Sequence, residues 1–350
     1  MHVTSASLLT DAPTWTCRYR SFGSLHSSND SGVKVDASAA AAALVKGVRE
    51  RPWGLAVAAI SNGDVQVRIE AGADPLGEAT LFQIGSVTKT MTGLLLADAM
   101  IRGETTLHAP LGDVLGADAG RCKEISLLDL ATQRSGLPRL PPNLDLGAVD
   151  AADPYADYTE ADLVQALELV EDPAPGGFEY SNMGFMVLGL ALSRLAGRPF
   201  ASLIRDRLFT QLGLHGARCG APSAGDDAAP GYRGASKVPW WRTNLPGPGG
   251  VATSIADLAS YVLAHLHPDT CPLGEAMVLA MAEHAPAPSP MGLGWAHQGG
   301  GVYHDGGTGG FRSFVGLHRP TRSAVVLLAN SGDADVVTSV GFAVLTEMLR

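Results

Sequence analysis

The spacing of hydrophobic positions changes twice along the chain. From Trp53 to Glu70 the pattern is strand-like: Val65, Val67 and Ile69 alternate with Gln66, Arg68 and Glu70. The Asn62-Gly63 pair between the two runs is a tight-turn signal, so 53–60 and 65–70 predict a β-hairpin. Upstream, Asp36–Glu50 is rich in alanine, with Asp36 as a candidate cap, and predicts a helix. Residues 1–35 are polar and irregular and are expected to form a partly ordered arm. From Met91 onward, Met91, Leu94, Leu95 and Met100 give a mostly hydrophobic helical pattern. Further helices are predicted over 126–132, 159–170 (capped by Thr159), 183–196, 200–212 and 253–265. Long loops rich in Pro, Gly and Asp occupy 139–158 and 215–250. The pattern then returns to strands at 299–304, 311–317 and 324–329, and a helix over 335–349 closes the chain.

Strands therefore lie at both ends and helices in the middle. The terminal hairpins join most simply into one sheet. The expected fold class is α/β plus all-α: an antiparallel β-sheet flanked by N- and C-terminal helices, with an inserted helical domain. The expected division is an arm over 1–35, an α/β domain over 36–95 and 290–350, and a helical domain with long loops over 96–289. A cleft at their meeting is a preferred place for a ligand.

Composition narrows the function. Of 350 residues, 46% are hydrophobic and 17% charged, as in globular proteins. The net charge of −10 and the lack of a basic cluster argue against a nucleic-acid surface. Cys17, Cys122, Cys219 and Cys271 are far apart, which suggests neither a zinc ribbon nor a disulfide scaffold. The N-terminus lacks a basic region followed by an apolar core, and no apolar run reaches the ~18 residues of a membrane span. A cytoplasmic protein with reduced thiols and no membrane contact is expected.

Three segments carry candidate chemistry. Ser86 and Lys89 stand three apart at the predicted start of the apolar helix, so both side chains share a face. A lysine depressed by burial and by the helix dipole is a plausible proton acceptor for a serine, the S-x-x-K arrangement. Taken alone, the pair reads as well as an N-cap serine with a solvated lysine. Tyr180 and Asn182, two apart on a predicted loop, can both point into a cleft; Ser181 or Asn182 as a helix cap is the alternative. The tyrosine can accept a proton if nearby cations lower its pKa. Tyr303–Gly310 is glycine-rich between strands and offers backbone N–H groups to a ligand. His265-x-His267-x-Asp269 is an incomplete dimetal motif at a helix end, and 85–90 lacks the ending of a phosphate-binding loop. No metal and no cofactor is expected.

Ser86-x-x-Lys89, Tyr180-x-Asn182 and His304-x-Gly306, in this order, resemble the serine β-lactamase and penicillin-binding-protein superfamily. The similarity is to its branch of class C β-lactamases, D-alanyl-D-alanine carboxypeptidases and β-lactamase-like esterases. Flanking segments agree: Phe82-Gln-Ile-Gly-Ser, Ser135-Gly-Leu-Pro, Pro248-Gly-Gly-Val-Ala-Thr-Ser and Gly292-Leu-Gly-Trp. The resemblance implies Ser86 as acylated nucleophile, and Lys89 and Tyr180 as proton-transfer partners. It implies Asn182 as a contact to the substrate amide or an orienter of Lys89, and the amides of Ser86 and Gly307 as oxyanion hole. His304 and Gly306 would line the substrate strand. His304 stands where β-lactamases usually carry lysine, a weaker and pH-dependent anchor for a carboxylate. Gln133-Arg134 stands where relatives commonly have His-Thr. The implied activity is a serine hydrolase or acyltransferase with a small-molecule acyl donor and an amine or alcohol as a further acceptor. An esterase, amidase or transacylase fits better than a β-lactamase or peptidase. A non-turnover ligand-binding protein is the reading from another class.

Overall fold

In the computed structural model, residues 51–171 and 173–349 are described, together with the backbone of Arg20–Ser21. The predicted helix 36–50 lies outside them. The hairpin forms as expected: β2 (Leu55–Ser61) and β3 (Asp64–Glu70) pair antiparallel across Asn62 and Gly63. Both turn residues have positive φ, 49° and 92°, as a twist-compatible two-residue turn requires.

Among the described residues, a seven-stranded sheet has the order β1-β3-β2-β12-β11-β10-β9, where β1 is Arg20–Ser21. Its late strands are β9 (Ala296–Gln298), β10 (Gly301–Gly307), β11 (Arg312–His318) and β12 (Ser323–Ala329). The two ends of the chain meet where β12 runs antiparallel to β2, from Ser323 opposite Ser61 to Ala329 opposite Leu55. Two details differ from expectation. Arg20–Ser21, inside the expected irregular arm, is β1, an edge strand parallel to β3. The glycine-rich segment is a strand as far as Gly307, because Gly306 and Gly307 pair with Ser313 and Arg312 of β11. The turn is only Thr308–Gly310.

Helices follow in chain order: α1 (Thr88–Ile101), α2 (Leu111–Leu115), α3 (Leu127–Ala131), α4 (Glu160–Leu169), α5 (Asn182–Ala196), α6 (Phe200–Ile204), α7 (Thr210–Leu212), α8 (Ile255–Leu266), α9 (Gly274–Met281) and α10 (Val336–Met348). Caps account for several starts. Ser126, Thr159 and Ser254 accept from the N–H of Asp129, Asp162 and Asp257. The expected 200–212 helix is interrupted by a π-helical turn over Arg205–Phe209. The middle of the chain is also not purely helical. It holds a three-stranded sheet of β4 (Phe82–Gln83), β8 (Val251–Thr253) and β5 (Arg218–Cys219), and a hairpin of β6 (Gly231–Arg233) and β7 (Ser236–Val238). Their strands of two or three residues leave too little alternation to read.

Successive strand residues point to opposite faces. Ala56, Ala58, Ile60, Val326 and Leu328 join the main core with α1, α5 and α8. Leu55, Val57, Val325 and Leu327 form a second layer with Val337, Val344 and Leu345 of α10. With both faces covered, β12 is buried at every position. α1 is buried from Thr88 to Ala99, and its buried polar side chains bond to neighbouring segments. Thr92 donates to the Gly247 carbonyl at 2.7 Å and Thr88 accepts from Val251 N at 3.2 Å. These bonds lay the 247–251 segment along the start of α1.

Candidate active site

Ser86 lies in a 3-10 turn, Gly85–Val87, that leads into α1. The cap positions Ile84 and Val87 have no side-chain cap bond, so Ser86 is not a helix cap. Its hydroxyl lies 3.0 Å from Lys89 Nζ. The turn is pressed against β10. A Cβ on Gly85, at φ +47°, would stand 2.6 Å from Gly307 N. A Cβ on Gly306 would stand 2.1 Å from the Ile84 carbonyl and 3.0 Å from Ser86 N. Only glycine permits this approach. It brings the Gly307 amide beside the Ser86 turn.

Lys89 is fully buried. Besides Ser86, its amine donates to Asn182 Oδ1 at 2.8 Å and to the Pro248 carbonyl at 2.9 Å. Burial pushes its pKa well below the lysine range, the Arg139 guanidinium pushes it the same way, and Asp305 opposes both. A neutral amine has two N–H bonds and one lone pair. Asn182 Oδ1 and the Pro248 carbonyl can only accept, so they take the two N–H bonds. The lone pair is then left for the Ser86 hydroxyl proton. Of the two roles implied for Asn182, the geometry shows the contact to Lys89.

Tyr180 precedes α5, and its hydroxyl lies near enough to the Ser86 side chain to influence its titration. Lys89 Nζ is 4.9 Å and Arg139 Cζ 5.1 Å from its ring centre. The idea that cations lower its pKa is corrected: burial outweighs Arg139 and pushes it up to about 12. Tyr180 is a neutral phenol at neutral pH. Ser181 is the cap of α5, accepting from Gly184 N at 2.8 Å.

His304 is buried, its ring centre 6.4 Å from that of Tyr180. Burial pushes its pKa down to about 4, against the opposing pull of Asp305. Its Nδ1 lies 2.6 Å from the Asp305 carbonyl, which assigns the proton to Nδ1. A neutral imidazole carries no charge with which to hold a carboxylate, which revises the pH-dependent anchor expected near neutrality.

Ser86, Asn182 and Gly307 line an open cleft with Tyr155, Met186, Trp241, Arg242 and Thr308. Tyr155 and Trp241 meet edge to face at 5.5 Å. Gln83 holds the Trp241 backbone through bonds of 2.7 and 3.2 Å, and Asp153 accepts from Arg242 Nε at 2.6 Å. Sequence reasoning placed Trp241 and Tyr155 only in long loops. The one signal was the Trp240-Trp241 pair in a segment too long to be a bare connection. His265 of the incomplete metal motif is instead packed between Tyr261 and Trp295, with Nδ1 at 2.9 Å from the Tyr261 carbonyl.

A β-lactamase family model matches residues 41–343. A β-lactamase of Pseudomonas fluorescens is 30% identical over 261 residues, 69% of this chain and 68% of the relative. Penicillin-binding protein 4 of Amycolatopsis lactamdurans is 28% identical over 295 residues, 73% of each chain. An unguisins hydrolase of Aspergillus campestris is 26% identical over 286 residues, 72% of this chain but 53% of the relative. The breadth of the family match and the buried Ser86–Lys89 pair agree, and the chain belongs to the β-lactamase family of serine hydrolases.

Proposed function

We propose that the chain forms an acyl-enzyme on Ser86 with an ester or amide of a small molecule, and passes the acyl group to water or to an amine or alcohol. One observation carries this reading: Lys89 is buried with two of its three partners obligate acceptors, so its neutral form aims a lone pair at Ser86. In the acylation step Ser86 Oγ bonds to the substrate carbonyl carbon while its proton moves to Lys89 Nζ. The carbonyl electron pair moves onto oxygen, beside the amides of Ser86 and Gly307. When the bond to the leaving group breaks, Tyr180, protonated at neutral pH, supplies its proton and recovers one from Lys89. The acceptor then enters by the reverse sequence.

An uncharged His304 favours esters and amides without a carboxylate beside the scissile bond. This supports an esterase, amidase or transacylase. The names of the bacterial relatives support the second reading, a β-lactamase or D-Ala-D-Ala peptidase. A panel of p-nitrophenyl esters, nitrocefin and D-Ala-D-Ala peptides separates them, and an added amine tests transfer by its yield of amide over acid. Labelling with a fluorophosphonate is expected for the native protein and not for Ser86→Ala. Labelling that persists in the variant contradicts the reading. Stoichiometric acylation without turnover of any ester points instead to a ligand-binding protein.

A further inference from the structure

Gln133 follows α3, is 1% exposed and sits at φ +60°, a conformation a non-glycine residue adopts only when its surroundings impose it. Its side-chain Oε1 accepts from Ser181 N at 2.7 Å. Its main-chain carbonyl accepts from Glu179 N at 2.8 Å. The two bonds grip the chain on either side of Tyr180. The rest of the segment continues the template. Arg134 O accepts from Gly176 N at 2.8 Å and Arg139 O from Asn182 N at 2.9 Å, while Ser181 Oγ donates to the Pro138 carbonyl at 2.6 Å. The Arg134 side chain holds the segment from outside, donating to the carbonyls of Pro286 and Ser289 at 2.6 and 3.0 Å. On the other flank Ala131 O accepts from Gly294 N at 2.9 Å, and a Cβ on Gly294 would stand 2.4 Å from the Lys89 carbonyl. One short segment thus bonds directly to the backbone that carries Tyr180 and Asn182, and reaches the backbone of Lys89 through Gly294.

We propose that Gln133 is a positioning residue for acylation, which through the Ser181 and Glu179 amides holds Tyr180 and Asn182 in register with Ser86 and Lys89. The proposal rests on the Ser86 acyl-enzyme reading. Gln133 touches no reacting atom, so its contribution lies in the rate of bond making and not in substrate affinity. A buried amide that accepts one backbone N–H explains why the reach of this side chain matters, whereas a filler of the same space needs no oxygen.

Two variants separate reach from packing. Gln133→Asn keeps an amide and tolerates positive φ better, but withdraws the oxygen by about 1.5 Å, one carbon–carbon bond. Gln133→Glu keeps an acceptor oxygen at the native distance. The measurement is fluorophosphonate labelling followed by intact mass, with rate at saturation, half-saturating concentration and labelled fraction recorded separately. Displacement of catalytic groups by about 1 Å costs on the order of a hundredfold. The expected result for Gln133→Asn is a saturating rate lower by about that factor, with half-saturation within about threefold of native. Gln133→Glu is expected to recover most of the rate. A merely structural role lowers the labelled fraction and leaves the rate constant alone. Native rate in Gln133→Asn, or equal slowness in Gln133→Glu, overturns the proposal. Labelling of Ser86→Ala in the same series overturns instead the reading beneath it.

Discussion

Gly306 offers a direct way to perturb the proposed oxyanion site. In Gly306→Ala the new methyl would stand 2.1 Å from the Ile84 carbonyl oxygen and 2.5 Å from Ser313 Oγ. Neither neighbour can turn away. Ile84 O is main chain, and Ser313 Oγ is held to it by a 2.7 Å bond. An ordinary carbon–oxygen contact therefore requires β10 and the Ser86 turn to separate by roughly 1 Å, and overpacking of this kind costs about 1–3 kcal/mol. The separation moves the Gly307 amide away from the Ser86 amide. Loss of one oxyanion donor typically costs about 10²–10³ in rate. Gly306→Ala is thus expected to acylate about a hundredfold more slowly and to unfold at lower urea concentration, with Lys89 and its partners retained. The assay pairs urea unfolding with the saturating rate of labelling by a fluorophosphonate. Acylation within about threefold of native, in a variant shown to be folded, refutes the placement of the oxyanion hole between β10 and the Ser86 turn.

Other outcomes follow from the same geometry. Lys89→Met is expected to remain folded, since a buried amine is replaced by an apolar chain of similar length, while ester turnover falls by about 10³ or more; turnover near native removes Lys89 from proton transfer. Arg139→Gln removes a positive charge that holds the Lys89 pKa down, so the rising limb of the acylation–pH profile moves to higher pH; a limb that stays or moves lower contradicts the charge effect. Because the Lys89 pKa is lower folded than unfolded, the unfolded chain binds more protons between the two values, and this group's contribution to stability rises with pH across that window. Urea titrations at stepped pH, native against Lys89→Met, measure it; a difference that does not grow with pH contradicts it. His304→Lys supplies a cation on β10 and is expected to raise kcat/KM for nitrocefin relative to a neutral ester by about tenfold; an unchanged ratio shows that His304 is not where carboxylate preference is decided.

The parts of the fold that were legible share one property: the signal is local. Asn62-Gly63 specifies its own turn, and Val65, Val67 and Ile69 carry a period that one face of a sheet imposes. The pairing of β2 with β12 was inferred only because strands lay at both ends; nothing local to either strand encodes it. The short strands β5 to β8 were unreadable because strands of two or three residues cannot show a period. In the site, Ser86 and Lys89 were legible through their spacing. Which protonation state each group adopts was not, because the Lys89, Tyr180 and His304 pKa values are all dominated by burial. The same holds for Pro248, whose carbonyl completes the Lys89 shell from 159 residues away. Gln133 showed only as a departure from a pattern, since its partner Ser181 is 48 residues distant.

The most direct test is to quench the protein with acid during turnover of a p-nitrophenyl ester and map the adduct by peptide mass spectrometry. The expected result is one acyl group on the peptide that contains Ser86, absent from Ser86→Ala together with turnover. An acyl group on another residue, or turnover that survives Ser86→Ala, contradicts the account.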